Sequence, residues 1–80
     1  MAWRVVDHAG RRWNVSLAAE RGPSSSQWNL VFSFRPADPG QRSIWATYPH
    51  LSSSSKAALF AQADRLSDSD LIELLAAKLT

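Results

Sequence analysis

The chain predicts an α+β fold: a four-stranded antiparallel sheet built from two hairpins, followed by two C-terminal helices packed on one face of it. Three observations carry that expectation. Apolar and polar residues alternate with a period of two through about 2–17 and 27–48, the spacing of strands with one buried face. Each of those stretches has turn residues at its middle or flank. The last third of the chain abandons that alternation for Ala and Leu behind serine and aspartate caps, which marks helices at about 55–65 and 68–79.

In the first hairpin Trp3, Val5 and Asp7 alternate with Arg4 and Val6, and after a turn Trp13, Val15 and Leu17 alternate with Arg12, Asn14 and Ser16. Asp7 at the first turn position and Gly10 at the fourth suit a three-residue loop ending in a left-handed glycine. That loop pairs Asp7 with Arg11, Val5 with Trp13 and Trp3 with Val15. It places Arg4, Arg12 and Asn14 on the polar face.

Residues 18–26, with Arg21-Gly22-Pro23 and three serines, read as an exposed connection. The stretch from Gln27 to Arg35 follows and is the clearest strand in the chain. Trp28, Leu30, Phe32 and Phe34 form its core side, and Asn29, Val31, Ser33 and Arg35 its other side. Pro36-Ala37-Asp38-Pro39-Gly40-Gln41 demands a turn. The return strand from Arg42 to Tyr48 puts Ile44, Ala46 and Tyr48 on one face and Trp45 on the other. Trp45 then either enters the core through a bulge or stands on the open face beside the arginines. Pro49-His50-Leu51 and the serines after it end the sheet.

Ser52 to Ser55 offer N-caps for a short helix over Lys56 to Arg65, with Leu59 and Phe60 as its docking residues. The final helix is marked by Ser67 with Asp70 three residues on, a capping box with Asp for Glu, and by Leu66 and Leu71 as a hydrophobic staple. Asp68 and Asp70 suit the positive end of its dipole and Lys78 the negative end. Its stripe of Leu71, Ile72, Leu74, Leu75 and Leu79 is to be buried against the sheet, a second copy or a partner.

The opening Trp3, Val5, Asp7, Gly10, Trp13, Val15 and the closing Leu66-Ser67-Asp68-Ser69-Asp70-Leu71 with Leu74-Leu75 resemble a group of short, uncharacterised bacterial proteins with the same two ends. The resemblance covers the ends and not the middle, and it implies no activity.

Composition narrows the function. Eighty residues with 45% hydrophobic and 20% charged content make one globular domain. Cysteine is absent, which removes disulfides, thiolate metal sites and cysteine nucleophiles. No run approaches the roughly 20 apolar residues of a membrane span, and the start lacks the apolar core of a signal peptide, so a cytoplasmic protein is expected. Residues 1–50 hold six Arg against Asp7, Glu20 and Asp38, whereas residues 51–80 hold three basic and four acidic side chains. The basic excess therefore sits on the strands, and it is all arginine, the residue suited to bidentate pairing with carboxylate or phosphate. Solvated strand edges carry arginine as well.

Chemistry-bearing motifs are sparse. His8 and His50 stand alone in turn-like stretches, without the helical spacing of a metal site. The serine runs lack the strand-turn-helix setting of an activated nucleophile. Asp68, Asp70 and Glu73 read as capping and dipole residues. Gly22 and Gly40 lie beside prolines, as turn glycines do. No enzyme, metal or cofactor is expected.

Binding is the remaining class. Arg4, Arg12, Asn14, Asn29, Arg35 and Trp45 are the candidate binding residues on the open sheet face. Arginine beside an exposed aromatic suits a protein partner, and equally a nucleic acid, with arginine on phosphate and a stacked base. A net charge of +2 is low for the latter. The expected function is a protein-interaction module or small accessory subunit. The alternatives are a nucleic-acid-binding domain and a peripheral subunit of a membrane complex, and self-association through the last helix is a further option.

Overall fold

A computed structural model describes residues 2–38 and 40–79. Four strands, β1 (Arg4–His8), β2 (Arg11–Glu20), β3 (Trp28–Pro36) and β4 (Ile44–Ser53), precede two helices, α1 (Lys56–Ala63) and α2 (Asp68–Leu79). The strands form one sheet in the order β1-β2-β3-β4, with every neighbouring pair antiparallel. The expected α+β architecture is therefore present. Both helices lie on the same side of the sheet: α1 rests on β3 and β4, and α2 touches the two edge strands, β4 and β1.

The core lies between those layers. Leu30, Phe32 and Phe34 of β3 are fully buried, as are Val15 of β2, Leu59 and Ala63 of α1, and Leu71 and Leu75 of α2. Phe32 is central, with its ring against those of Trp3, Phe34 and Tyr48 at centroid distances of 5.8, 6.1 and 6.0 Å. Trp28, the first residue of that side, is half-buried. Its ring is flanked by Arg21 and Lys56, each 4.7 Å from the centroid.

The first hairpin departs from the expected register. Asp7 opposes Arg12, Val6 opposes Trp13 and Arg4 opposes Val15, so the loop is the two residues Ala9 and Gly10. Both have positive φ, 55° and 73°, the backbone of a type I′ turn, whose twist matches that of the strands it joins. Removing one loop residue reverses which side of β1 faces the core. Val6 is buried and Val5 is 45% exposed. Trp3 lies just before the strand, where it still reaches Phe32, so this register buries Val6 without giving up Trp3.

Two strands run further than their composition suggests. Ala18, Ala19 and Glu20 belong to β2, opposite Val31, Leu30 and Asn29, where a connection was expected. β4 continues through Pro49 to Ser53, with a register shift that leaves Ser52 opposite Asn29 and Ser53 opposite Trp28. Proline is tolerated there because β4 is an edge strand whose outer side pairs with no neighbour. Ladder pairing with a strongly apolar β3 outweighs weak local preference in both cases. Of the residues proposed for the second turn, Pro39 lies outside the described residues.

The helix ends follow the sequence closely. Ser55 caps α1 by accepting from the Ala58 amide at 3.2 Å, and the helix stops at Ala63, two residues short of the expected end. At α2 the box is reciprocal: the Asp70 amide donates to Ser67 Oγ at 3.1 Å, and the Ser67 amide donates to Asp70 Oδ2 at 3.0 Å. Leu71 and Leu75 turn inward, so most of the apolar stripe is used within the chain, while Leu79 is 46% exposed.

Candidate functional site

The side of the sheet without helices is largely polar. Alternation directs Arg12, Asn14, Ser16 and Glu20 of β2 to it, with Asn29, Ser33 and Arg35 of β3 and Trp45 and Thr47 of β4. A hollow of about 710 Å³ occupies one end. Its floor is Asn14, Ser16, Ser33 and Arg35; Trp45 stands at one side, and Ala37, Asp38, Gly40 and Gln41 of the β3–β4 connection form the rim.

Trp45 takes the open-face alternative. It opposes Ser33 in regular antiparallel register with no bulge at that position, and it is 61% exposed, more than any other large apolar side chain described. A tryptophan left in water forgoes the roughly 1.5–3 kcal/mol that burial of a large apolar side chain supplies. Its neighbour on the same face, Arg35, is exposed and pairs with no carboxylate among the described residues. Val31 is 8% exposed on this face, opposite Ala18 and Thr47.

The six sequence-predicted binding residues fall into three groups. Asn14, Arg35 and Trp45 line the hollow together. Arg12 and Asn29 share the face but lie outside the hollow. Arg12 is held by Asp7, directly across the β1–β2 pair, at 3.5 Å, so part of its charge is already compensated. Asn29 sits toward the other end of the sheet, opposite Glu20 and Ser52.

Arg4 is on the wrong side for this surface, and its expected placement is corrected. The one-residue change in hairpin register turns it toward the helices. Its guanidinium donates to the carbonyls of Leu66 and Asp64, lies 3.6 Å from the Asp68 carboxylate, and covers the Trp3 ring at 4.2 Å. Trp3 Nε1 in turn donates to Asp64 Oδ1 at 2.9 Å. Arg4 and Trp3 together fasten the start of the sheet to the junction between the helices.

The rim of the hollow was missed by sequence reasoning. Proline and glycine in residues 36–41 announce a turn, but not that it leans over the open face. Ser16 lay in the alternating pattern of β2 and is a floor residue by the same parity that places Asn14 there.

A second hollow of about 410 Å³ lies between the end of β4 and α2, lined by Tyr48, His50, Asp70, Glu73 and Leu74 among others. Asp70 is engaged in capping Ser67, and the His50 and Tyr48 rings meet edge to face at 5.2 Å. No cluster of three or more His, Cys, Asp or Glu side chains suited to a metal ion occurs among the described residues. The first hollow is the better candidate because its tryptophan is exposed and its arginine pairs with no carboxylate among the described residues. No protein-family model, curated protein or solved structure matches the chain.

Proposed function

We propose that this chain is a non-catalytic interaction module, an accessory subunit that docks on another protein through the open face of its sheet. The observation that carries this reading is Trp45, 61% exposed, beside an arginine that pairs with no carboxylate among the described residues, in a hollow floored by Asn14, Ser16 and Ser33. Tryptophan and arginine are the side chains that most often dominate binding energy at protein interfaces. Here neither contributes to the core, so both are available to a partner without rearrangement of the fold.

Quantitative co-purification with tagged wild type, Trp45→Ala and Arg35→Ala tests the proposal. A partner retained by wild type should be recovered at least about tenfold less with Trp45→Ala, the factor that roughly 1.4 kcal/mol gives. The variants should melt within a few degrees of wild type. Equal recovery by all three proteins would sink the reading.

Single-stranded nucleic acid is the second reading, favoured by the same adjacency of Arg35 and Trp45. It is weakened by the pairing of Arg12 with Asp7, by the removal of Arg4 to the opposite face, and by Glu20 on the open face. A band shift that fades steeply between about 50 and 200 mM salt would support it. A partner in a membrane complex is a variant of the first reading, reached through protein contacts. No helix among the described residues is long and apolar enough to cross a bilayer. Fractionation of the partner distinguishes the two settings.

A further inference from the structure

We infer that the hollow takes an extended peptide carrying a carboxylate two residues from a large apolar side chain, the carboxylate on Arg35 and the apolar group on Trp45. This rests on the open face being a protein-docking surface and adds the chemistry of what docks there.

Spacing is the first support. Trp45 opposes Ser33, and Arg35 is two residues further along the same strand on the same face. Trp45 and Arg35 are thus diagonal neighbours, a relation that separates positions by roughly 7–8 Å. In an extended peptide, side chains two residues apart point the same way and are separated by about 6.6–6.8 Å. A Glu-X-Phe segment matches that geometry, whereas adjacent residues point to opposite sides.

Charge is the second support. Arg35 and Arg42 have no carboxylate partner among the described residues, while the acidic side chain of the rim, Asp38, is held by Arg11 at 3.6 Å. Among the residues lining the hollow, Arg35 is thus the cation left without a described carboxylate, and a guanidinium binds a carboxylate through two parallel hydrogen bonds. Asn14, Ser16 and Ser33 add neutral donors and acceptors for peptide backbone.

The same charges disfavour a polyanion. Glu20 lies on this face, with its Oε1 3.5 Å from Thr47 Oγ1. It opposes Asn29, six residues from Arg35, or about 20 Å along the strand. A phosphate chain laid along the strands from Arg35 would meet a carboxylate, whereas a segment with one localised acidic group would not.

An array of acetylated, amidated peptides tests the inference. It holds Glu-X-Phe, Gln-X-Phe, Glu-X-Ser and Glu-Phe-X cores flanked by mixed positions, and is probed with the labelled full chain. Glu-X-Phe should retain about fivefold more protein than each of the others, the factor that roughly 1 kcal/mol gives. Arg35→Gln should erase the preference for Glu over Gln, and Trp45→Ala the preference for Phe over Ser. Arg65→Gln, on the helix layer, should change neither. A preference absent in wild type, or one that survives Arg35→Gln, overturns the inference. If co-purification of a partner still depends on Trp45 and Arg35 while the array shows no such preference, the docking surface stands and the ligand class falls. Retention of a single-stranded oligonucleotide in place of the peptides, lost in the same two variants, overturns both.

Discussion

Ala9 is the only described residue other than glycine at positive φ, 55°, and with Gly10 it closes the first hairpin in two residues. A left-handed backbone crowds the Cβ of alanine against the carbonyl and costs about 1–2 kcal/mol. Asparagine tolerates that region, and Asn-Gly is the preferred pair in this turn. Ala9→Asn should therefore raise stability by roughly 0.5–1 kcal/mol, read as a higher urea midpoint at an unchanged slope. An unchanged or lower midpoint would contradict the two-residue turn. Arg4 depends on that turn. With its guanidinium on the Leu66 and Asp64 carbonyls, Arg4→Ala leaves the part-buried Leu66 carbonyl without its donor, a loss of about 1–3 kcal/mol. Had Arg4 faced the open side, the same substitution would change stability by no more than about 0.5 kcal/mol, so thermal denaturation of this variant reports the register.

At the scale of elements, what was legible depended on whether the signal was local. The α2 cap is a four-residue pattern whose groups bond one another, Ser67 with Asp70 in both directions, and nothing distant competes with it. Ser67→Ala should cost about 1 kcal/mol, or a fall in Tm of roughly 4–8 °C for a domain of this size; no fall would mean that packing of Leu71 and Leu75 alone sets the helix start. β3 was legible because alternation continues through Trp28, Leu30, Phe32 and Phe34. The register of β1 was not, because Val5 and Val6 are both apolar and either can face Trp13; the loop length decides, and its residues suit two or three. The ends of β2 and β4 were hidden for a different reason. Ala18 to Glu20 and Ser52-Ser53 have little preference of their own and are strand only because β3 lies beside them. For the hollow, parity placed Asn14, Arg35 and Trp45 on one face, while the rim depends on the path of a loop, which no periodicity encodes.

In the whole molecule the two faces of the sheet have separate duties. The helix side holds the core around Phe32, and a chain of this size retains only about 3–5 kcal/mol of net stability. Phe32→Ala, at roughly 3–5 kcal/mol, should leave it largely unfolded at 25 °C by circular dichroism; a cooperative, native-like melt would show that the core is not centred there. The open side contributes little to folding and carries the exposed Trp45, which gives the chain a binding surface whose variants need not disturb the fold. Hydroxyl-radical footprinting of the full chain, with and without its co-purified partner, tests that division most directly. Docking through the open face predicts that oxidation of Trp45 falls several-fold in the complex while Phe60 and Leu79 on the helix layer are modified as before. Unchanged oxidation of Trp45 with protection of the helix layer would contradict it.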